Sequence, residues 1–118
     1  MIFMEVEFYE TEGEACPVKD FIDRLPVKQK MKILWMLQLV EEQGRNLHTK
    51  YLKKLSPSDL WEIRVAQGNL NIRLLGFFHG NELLILNHGF LKKTQKTPQK
   101  ELNVAIERYQ DYLRRHKK

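Results

Sequence analysis

Two glycine–asparagine pairs divide the second half of the chain into three short runs of strand-forming residues. Each pair, Gly68-Asn69 and Gly80-Asn81, is a sequence favoured at the centre of a two-residue β-hairpin turn. The flanking runs, residues 60–66, 71–78 and 82–88, are rich in β-branched, aromatic and leucine side chains. The spacing therefore predicts a three-stranded antiparallel meander.

The predicted turns also fix a register. If each turn is centred on its Gly-Asn pair, the numbers of paired residues sum to 137 in the first hairpin and to 161 in the second. Arg64 then lies opposite Arg73, and Arg73 lies opposite His88. Because side chains alternate between the faces of a strand, these three residues form a cationic row on one face. The row is flanked by Glu62, Asn71 and Phe90.

The cationic row needs a compensating charge, because like charges directly opposite each other destabilise a ladder. Two interpretations remain open: Glu62 neutralises an arginine, or the row forms a cleft for a phosphate. A bulge or a slip of one residue would move Arg64 to the other face. The same register places Leu84 and Leu86 on the face of the row, and Leu83 and Ile85 on the opposite face, which is apolar throughout and is predicted to be core.

The N-terminal third predicts one strand and two helices. Residues 3–9 alternate between apolar and acidic side chains, as in a half-buried strand. Pro17 suits a first helical position, and Gly44 suits the C-terminal cap of the second helix. Pro26 breaks or restarts the first helix, so residues 17–43 are predicted to form a helical hairpin or a kinked pair. The second helix carries a wide apolar stripe made of Met31, Leu34, Trp35, Leu37 and Val40.

The remaining segments complete an α+β pattern. Residues 45–59 read as a polar connector, and Thr97 and Pro98 as the N-cap and first residue of a C-terminal helix. The predicted fold is one α+β domain over residues 1–118, with an N-terminal strand and helical hairpin, a three-stranded meander and a final helix.

The composition argues against a membrane-spanning or secreted protein and for a protein that binds a polyanion. No apolar run approaches the roughly 18–20 residues that a membrane span requires, and the first nine residues lack the basic start of a signal peptide. A lone cysteine, Cys16, cannot form an internal disulfide, so a cytoplasmic location is expected. The net charge of +5 is unevenly distributed. Residues 1–43 hold five Lys/Arg against nine Asp/Glu, and residues 44–118 hold fifteen against six, which suggests a face that binds a polyanion.

The segment from His88 to Pro98 concentrates this basic character. It carries Lys92, Lys93 and Lys96, and Phe90 is expected to be exposed beside them. Cations next to an aromatic ring suit an RNA backbone and its bases, although a solvated loop is the simpler alternative. Four further lysines are expected to contact RNA backbone: Lys50, Lys53, Lys54 and Lys100.

No cofactor or metal is expected. The four histidines are scattered without the spacing of metal ligands, and the chain contains no glycine-rich nucleotide-binding motif. Of the histidines, only His88 lies in the cationic row, where it is either a general acid or base or a hydrogen-bonded residue at a strand end.

Three segments together resemble the phage-derived, Gp49-like and HigB-like branch of the RelE toxin superfamily. They are residues 60–64 (LWEIR), residues 71–75 (NIRLL) and residues 88–98 (HGFLKKTQKTP). The family's usual sequences there read LWELR, a YR on the next strand and HGFxKKTxKTP. The resemblance covers about residues 51–112, and the lysine motif is its most specific part. It implies a RelE-like fold, in which the N-terminal strand lies beside the hairpins and the helices pack on one face of the sheet.

The resemblance also implies a function. Such proteins are toxins of type II toxin–antitoxin pairs that enter the ribosomal A site and cut the mRNA there. For this chain we expect metal-independent cleavage by attack of a 2′-hydroxyl on its own phosphodiester. The family's catalytic cations fall at Arg64, Arg73 and either Lys92 or Lys93. We expect Lys93, with Lys92 as the alternate, to stabilise the transition state or to protonate the leaving oxygen. The general base stays open between His88 and Glu62, and Asn71 and Phe90 are expected to contact RNA.

The implied partners are the ribosome, mRNA and a cognate HigA-like helix-turn-helix antitoxin. The toxin–antitoxin pair is expected to form a heterotetramer that binds promoter DNA through the antitoxin. The antitoxin either covers the cationic face or binds the acidic N-terminal helices. The alternative from a different class is a non-catalytic module that binds RNA or a protein.

Overall fold

The computed structural model describes residues 4–116 and is an α+β structure, as predicted. Three helices and five strands follow one another within residues 4–116, with one 3-10 turn there at Gly44–Asn46. The elements are β1 (Glu5–Phe8), α1 (Pro17–Asp23), α2 (Val27–Gln43), β2 (Leu52–Lys54), β3 (Trp61–Gln67), β4 (Leu70–His79), β5 (Leu83–Leu91) and α3 (Gln99–Arg115). Position 3, where the first strand was expected to begin, lies outside the described residues.

The strands form one mixed sheet in the order β1-β5-β4-β3-β2. The predicted meander is β3–β4–β5, and β1 joins its open edge parallel to β5. β2 was not predicted, because it lies in the segment expected to be a polar connector; it pairs antiparallel with β3 through Leu52, Lys53 and Lys54. Within residues 4–116, none of the helices combines the length and apolar composition that crossing a bilayer requires.

Helices cover both faces of the sheet, so the expectation of helices on one face is wrong. α1 and α2 pack on the face that carries Ile63, Val65, Ile72 and Leu74. α3 packs on the other face, over a second core that contains Leu60, Leu75, Phe77, Ile85 and Phe90. The alternation along β3 and β4 therefore divides apolar side chains between two cores, and Arg64 and Arg73 belong to the α3 face.

The first hairpin has the predicted register. Gln67 pairs with Leu70 across the Gly68-Asn69 turn, and Arg64 pairs with Arg73. Gly68 has a φ of 64°, the left-handed conformation that this type of turn requires and that glycine adopts without steric cost.

The second hairpin departs from the prediction. His79 pairs with Leu83, so the loop holds three residues and the first part of β5 is shifted by one. This shift places Leu84 and Leu86 on the α1–α2 face and Leu83 and Ile85 on the α3 face, which reverses both predicted assignments. A bulge at Asn87 then shifts the pairing of β5 with β4 by one more residue, because Gly76 pairs with Leu86 whereas Leu75 pairs with His88.

Because of the bulge, the prediction of a row of three cations is wrong. Arg73 lies opposite Phe90, and not opposite His88, which lies opposite Leu75. The row on the sheet is therefore Arg64, Arg73 and Phe90. Because β5 continues to Leu91, the start of the lysine motif belongs to the strand.

The helix boundaries follow the prolines and Gly44. Pro17 begins α1, Pro26 precedes α2, and Gly44 with a φ of 57° ends α2. α3 begins at Gln99 with Pro98 as its N-cap, one residue later than predicted, and Thr97 makes no cap. The predicted apolar stripe of α2 is also divided: Leu37 and Val40 are buried, but Met31, Leu34 and Trp35 are exposed.

Candidate RNA-binding site

The β3–β4 hairpin positions the two arginines of the site. Arg64 and Arg73 are a directly opposed pair on the α3 face, and the Nε atom of each lies within ion-pair range of Glu62 Oε1. The segment after β5 crosses beside them, since the Lys92 amide donates to the Asn71 carbonyl at 2.8 Å. The two arginines and the lysine motif are thereby brought into one region.

A buried carboxylate lies between the arginines. Glu62 has no exposed surface, and its Oε1 accepts a hydrogen bond from Arg64 Nε at 3.0 Å. The same oxygen is 3.7 Å from Arg73 Nε, within range for an ion pair but too long for a hydrogen bond. Glu62 thus neutralises part of the opposed charge, as one of the two interpretations of the row required.

Thr97 connects this carboxylate to the segment before α3. Its hydroxyl donates to Glu62 Oε2 at 2.6 Å, so both carboxylate oxygens have partners. The loop itself is held by Thr94, whose hydroxyl donates to the Lys96 carbonyl at 2.7 Å. Glu62 therefore orients an arginine and fixes one end of the lysine loop at the same time.

Arg73 does not use all of its hydrogen-bond donors within the described residues. Its Nη1 donates to the Ile72 carbonyl at 3.0 Å, while its buried Nε has no hydrogen-bond partner among residues 4–116. Burial lowers the pKa of Arg73 from its usual range, and the nearby charge of Arg64 acts in the same direction, although Glu62 opposes it. A cation with unsatisfied donors is suited to bind an anion such as a phosphodiester.

Two adjoining cavities open beside these groups. The first has a volume of about 540 Å³ and is lined by Lys53, Lys54, Leu55, Ser56, Glu62, Arg64, Lys92, Gln95, Lys96, Thr97 and Leu102. The second has a volume of about 440 Å³ and is lined by Asn71, Arg73, Lys92, Lys93, Thr94 and Gln95. Seven of these lining residues are cations, against one carboxylate, which is the buried Glu62 at the floor. This charge suits a polyanion.

Lys92 lies where the two cavities meet, because it lines both. Burial lowers its pKa from the usual range for a lysine. The cations Arg73, Arg64 and Lys53 lower the pKa of Lys92 further, and Glu62 partly opposes them. A lysine that releases its proton more readily is better suited to proton transfer.

His88 faces α3 and lines neither of the two cavities. Its Nε2 is 2.8 Å from Glu101 Oε1, and its Nδ1 is 3.3 Å from Arg108 Nη1. Burial is the main reason that the pKa of His88 is lowered, Arg108 adds to the effect, and the Glu101 hydrogen bond opposes it. A neutral ring that donates from Nε2 and accepts at Nδ1 satisfies both neighbours, so His88 joins β5 to α3.

The expectation that Phe90 is exposed is wrong. Its side chain is only 6% exposed, because α3 covers it in the second core. The Phe90 ring also stacks on His88, with centroids 5.6 Å apart and planes inclined by 24°. A base could reach the face of this ring only if α3 moved away.

The remaining predicted contacts fall into two groups. Lys53, Lys54, Lys96, Lys93 and Asn71 line one of the cavities. Lys50 and Lys100 are exposed but line neither of them, and the Lys50 ammonium lies 5.5 Å from the centre of the Tyr51 ring.

The match to a family model decides the family. The model described as phage derived protein Gp49-like (DUF891) matches residues 20–110. The chain belongs to the Gp49-like family. This family is part of the RelE/HigB-like group of toxins, which implies an antitoxin partner in general. No curated protein is significantly similar to the chain in sequence.

The site of this Gp49-like protein includes groups that sequence reasoning missed. Thr97 was assigned to a helix cap, and Gln95, which lines both cavities, was not singled out. Glu101 and Arg108, which hold His88, lie 13 and 20 residues away along the chain. No periodicity or spacing signals such long-range pairs. Within residues 4–116, no three His, Cys, Asp or Glu side chains are grouped as metal ligands would be.

Proposed function

We propose that this Gp49-like toxin is an endoribonuclease that cuts mRNA on the ribosome and thereby inhibits translation. The observation that supports the proposal best is the meeting of Arg73, Lys92 and Lys93 in one open cavity of the described structure, next to the cavity of Arg64. Both cavities are open and cationic, as binding of an RNA strand requires.

The proposed reaction is an internal transesterification. The ribose 2′-oxygen forms a bond to the adjacent phosphorus as the bond from phosphorus to the 5′-oxygen breaks. The 2′-hydroxyl loses its proton, and the departing 5′-oxygen gains one. The products are a 2′,3′-cyclic phosphate, which water can open to a 3′-phosphate, and a 5′-hydroxyl end.

Charge stabilisation is assigned to the arginines and Lys93. Arg73 lines the second cavity and binds the non-bridging oxygens of the scissile phosphate there with its guanidinium group, and Lys93 lines the same cavity. Arg64 acts from the neighbouring cavity, where Glu62 fixes its direction. Groups held in place before the substrate arrives lose little energy to reorganisation in the transition state.

Proton donation to the departing oxygen is assigned to Lys92. It borders both cavities, and burial among cations lowers its pKa. Lys92 therefore takes the role for which Lys93 was the first candidate, and Lys93 is assigned to binding.

The lack of a free general base favours a reaction that depends on the ribosome. Both oxygens of Glu62 accept hydrogen bonds, and His88 lies between Glu101 and Arg108. Glu62 lines the first cavity but has both oxygens engaged, and His88 lines neither cavity, so neither candidate base is free to accept the 2′-hydroxyl proton. An enzyme with this equipment depends on the ribosome to orient the 2′-hydroxyl for attack.

The same lack of a free general base favours one alternative, a module that binds RNA without cutting it. The products distinguish the two functions, since only cleavage creates new 5′-hydroxyl ends.

The proposed site of mRNA cleavage in the cell is the cytoplasm. The proposed partner is a helix-turn-helix antitoxin that forms a heterotetramer with the toxin and binds promoter DNA.

The test is controlled expression of four variants beside the wild type in a bacterial host, with growth and mRNA 5′ ends followed together. Arg73→Ala, Lys92→Ala and Lys93→Ala each remove a cavity cation, and Lys28→Ala removes an exposed lysine of α2 as a matched control. Growth arrest with new mRNA ends is expected for wild type and Lys28→Ala, and loss of both for the cavity variants. Arrest with intact mRNA would favour the binding module, and equal toxicity of all variants would contradict the site.

A further inference from the structure

The outward face of α2 is apolar. Val27, Met31, Leu34 and Trp35 are 67%, 64%, 59% and 49% exposed, and we call these four residues the α2 stripe. Their spacing places them along one side of the helix over two turns. The buried residues of α2, namely Ile33, Met36, Leu37 and Val40, lie on the opposite side.

This concentration of exposed apolar surface is local. Six large apolar side chains are exposed among residues 4–116, and four of them form the α2 stripe. Scattered apolar residues need no explanation, but a contiguous group of this kind marks an interaction surface. The α2 stripe is the convex outer face of a helix, whereas sites for small molecules are concave, so the stripe does not suit a small ligand.

The charges at the two ends of α2 indicate which kind of partner would bind the α2 stripe. Lys28, Lys30 and Lys32 border the α2 stripe in the first half of α2, and the Lys32 ammonium lies 4.4 Å from the centre of the Trp35 ring. Glu42 is exposed near the other end. A segment with acidic residues at one end and a basic residue at the other complements this pattern. An RNA strand offers no apolar stripe, and an anionic membrane surface offers no basic group to pair with Glu42.

We infer that the α2 stripe binds an amphipathic helix of the antitoxin, with its acidic end against the three lysines. The identity of the partner as an antitoxin rests on the proposed function. Two packed helices interact through side chains spaced by three and four residues, as the α2 stripe provides. Because α2 and the cavities lie on opposite faces of the sheet, the partner sits across the sheet from Arg73 and Lys92.

The test measures affinity for a defined probe by isothermal titration calorimetry. The probe is the purified product of the reading frame adjacent to that of this chain. Leu34→Glu places a carboxylate in the middle of the α2 stripe, and Leu113→Glu makes the same change at a residue of α3 that is 47% exposed. Both side chains are exposed, so both variants are expected to fold, and circular dichroism with thermal unfolding checks this.

The dissociation constant is expected to rise at least about tenfold for Leu34→Glu and less than about threefold for Leu113→Glu. Met31→Glu is expected to repeat the first result. Equal effects of the α2 and α3 variants, or no binding by the wild type, would overturn the inference.

Two other occupants are separate outcomes that would also overturn it. A wild-type dimer that Leu34→Glu converts to a monomer in sedimentation would assign the α2 stripe to a second copy of the chain. Sedimentation of wild type, but not Leu34→Glu, with vesicles of phosphatidylcholine and phosphatidylglycerol would assign it to lipid.

RNA cleavage by the same samples separates this inference from the proposed function. If the probe binds through the α2 stripe while wild type leaves ribosome-bound mRNA intact, only the nuclease proposal fails. If mRNA is cut but the α2 variants bind the probe normally, only the docking inference fails.

Discussion

At the scale of single residues, Glu62 has the greatest influence on the candidate site. Its buried carboxylate contacts both arginines and accepts the Thr97 hydroxyl. A negative charge without exposed surface is costly unless it is fully paired, so Glu62 and its three neighbours stabilise one another. Glu62 is therefore a positioning residue, and its replacement should affect folding as well as RNA binding.

Glu62→Gln tests the charge of this group with little change of shape. We expect the free energy of unfolding to fall by about 1.5–3 kcal/mol, the range for hydrogen bonds to a charged group, because the opposed arginines lose their counter-ion. Urea unfolding measures the change. Glu107→Gln alters an exposed glutamate of α3 and should change stability by less than about 0.5 kcal/mol. Equal stability of the two variants would show that Glu62 has no such role.

His88 gives the stability of the protein a pH dependence. Because its pKa is lowered in the folded state, the unfolded chain binds a proton at higher pH than the folded chain does. The contribution of the neutral ring is fully present above about pH 6.5, the usual pKa of histidine, and is lost as the pH falls through the folded pKa. We expect His88→Gln to reduce the fall in urea midpoint between about pH 7.5 and pH 5. The exposed His48→Gln should retain the fall, and a wild-type slope in His88→Gln would refute this account.

At the scale of elements, β5 is the strand on which the site depends most. It pairs with β1 and β4, it contacts α1 and α3, and it ends at Leu91 directly before the lysines. Gly89 permits the close approach of α1, because a Cβ at this position would lie 2.5 Å from Phe21 Cδ2 and 3.1 Å from Leu74 Cδ2. Gly89 lies two residues before the end of β5, so this contact packs α1 close to the start of the lysine loop.

Gly89→Ala should accordingly cost about 1–3 kcal/mol of stability through overpacking. Phe21→Leu removes the ring that the new methyl group would meet, so the same change in a Phe21→Leu background should cost at least about 1 kcal/mol less. Chemical unfolding of the two single variants and the double variant measures this coupling. Gly13→Ala, whose Cβ would lie 3.9 Å from the Thr11 hydroxyl, is the control. Additive effects of Gly89→Ala and Phe21→Leu would mean that the ring does not limit the space.

The sequence predicted the elements better than their registers. The Gly68-Asn69 turn gave the correct pairing of Arg64 with Arg73, because a two-residue turn determines its strands. The second loop holds three residues and is followed by a bulge at Asn87, and neither feature has a strong local signal. β2 was missed because only Leu52 in its three residues is buried, and lysines at the other two positions are typical of an edge strand.

The site was predictable to the extent that it depends on the first hairpin and the lysine motif. Arg64, Arg73, Lys92 and Lys93 are brought to the cavities as expected. The burial of Phe90 depends on where α3 docks, and the contact of Thr97 with Glu62 spans 35 residues of chain. Such contacts are set by tertiary packing, which the pattern of a single sequence does not specify.

At the scale of the whole molecule, the two candidate binding surfaces lie on opposite faces of the sheet. The cavities with their seven cations lie on the α3 face, and the α2 stripe lies on the other. Lysines on the two faces should therefore contribute differently to RNA binding, although each carries the same charge.

Lys53→Ala should weaken binding of a single-stranded RNA of about 20 nucleotides and lower the slope of log affinity against log salt concentration by about 0.7–1, the value for one lost phosphate contact. Lys53 lines the first cavity, whereas Lys28 is exposed on α2, so Lys28→Ala should leave both quantities unchanged. Fluorescence anisotropy over a range of salt concentrations measures them. If Lys28→Ala lowered the slope as much as Lys53→Ala, RNA would not be confined to the cavity face.

The parallel pairing of β1 with β5 also determines how the molecule is made. Glu5 pairs with Leu83, so the first strand waits for 78 further residues to be synthesised before it meets its neighbour. Contacts between such distant segments form late, because the loop between them must close first. An incomplete chain that stops before β5 lacks the strand that joins β1 to β4 in the sheet. Such a fragment also lacks the lysines that line the second cavity, so the candidate site is expected to form only after β5 and the lysine loop have been synthesised.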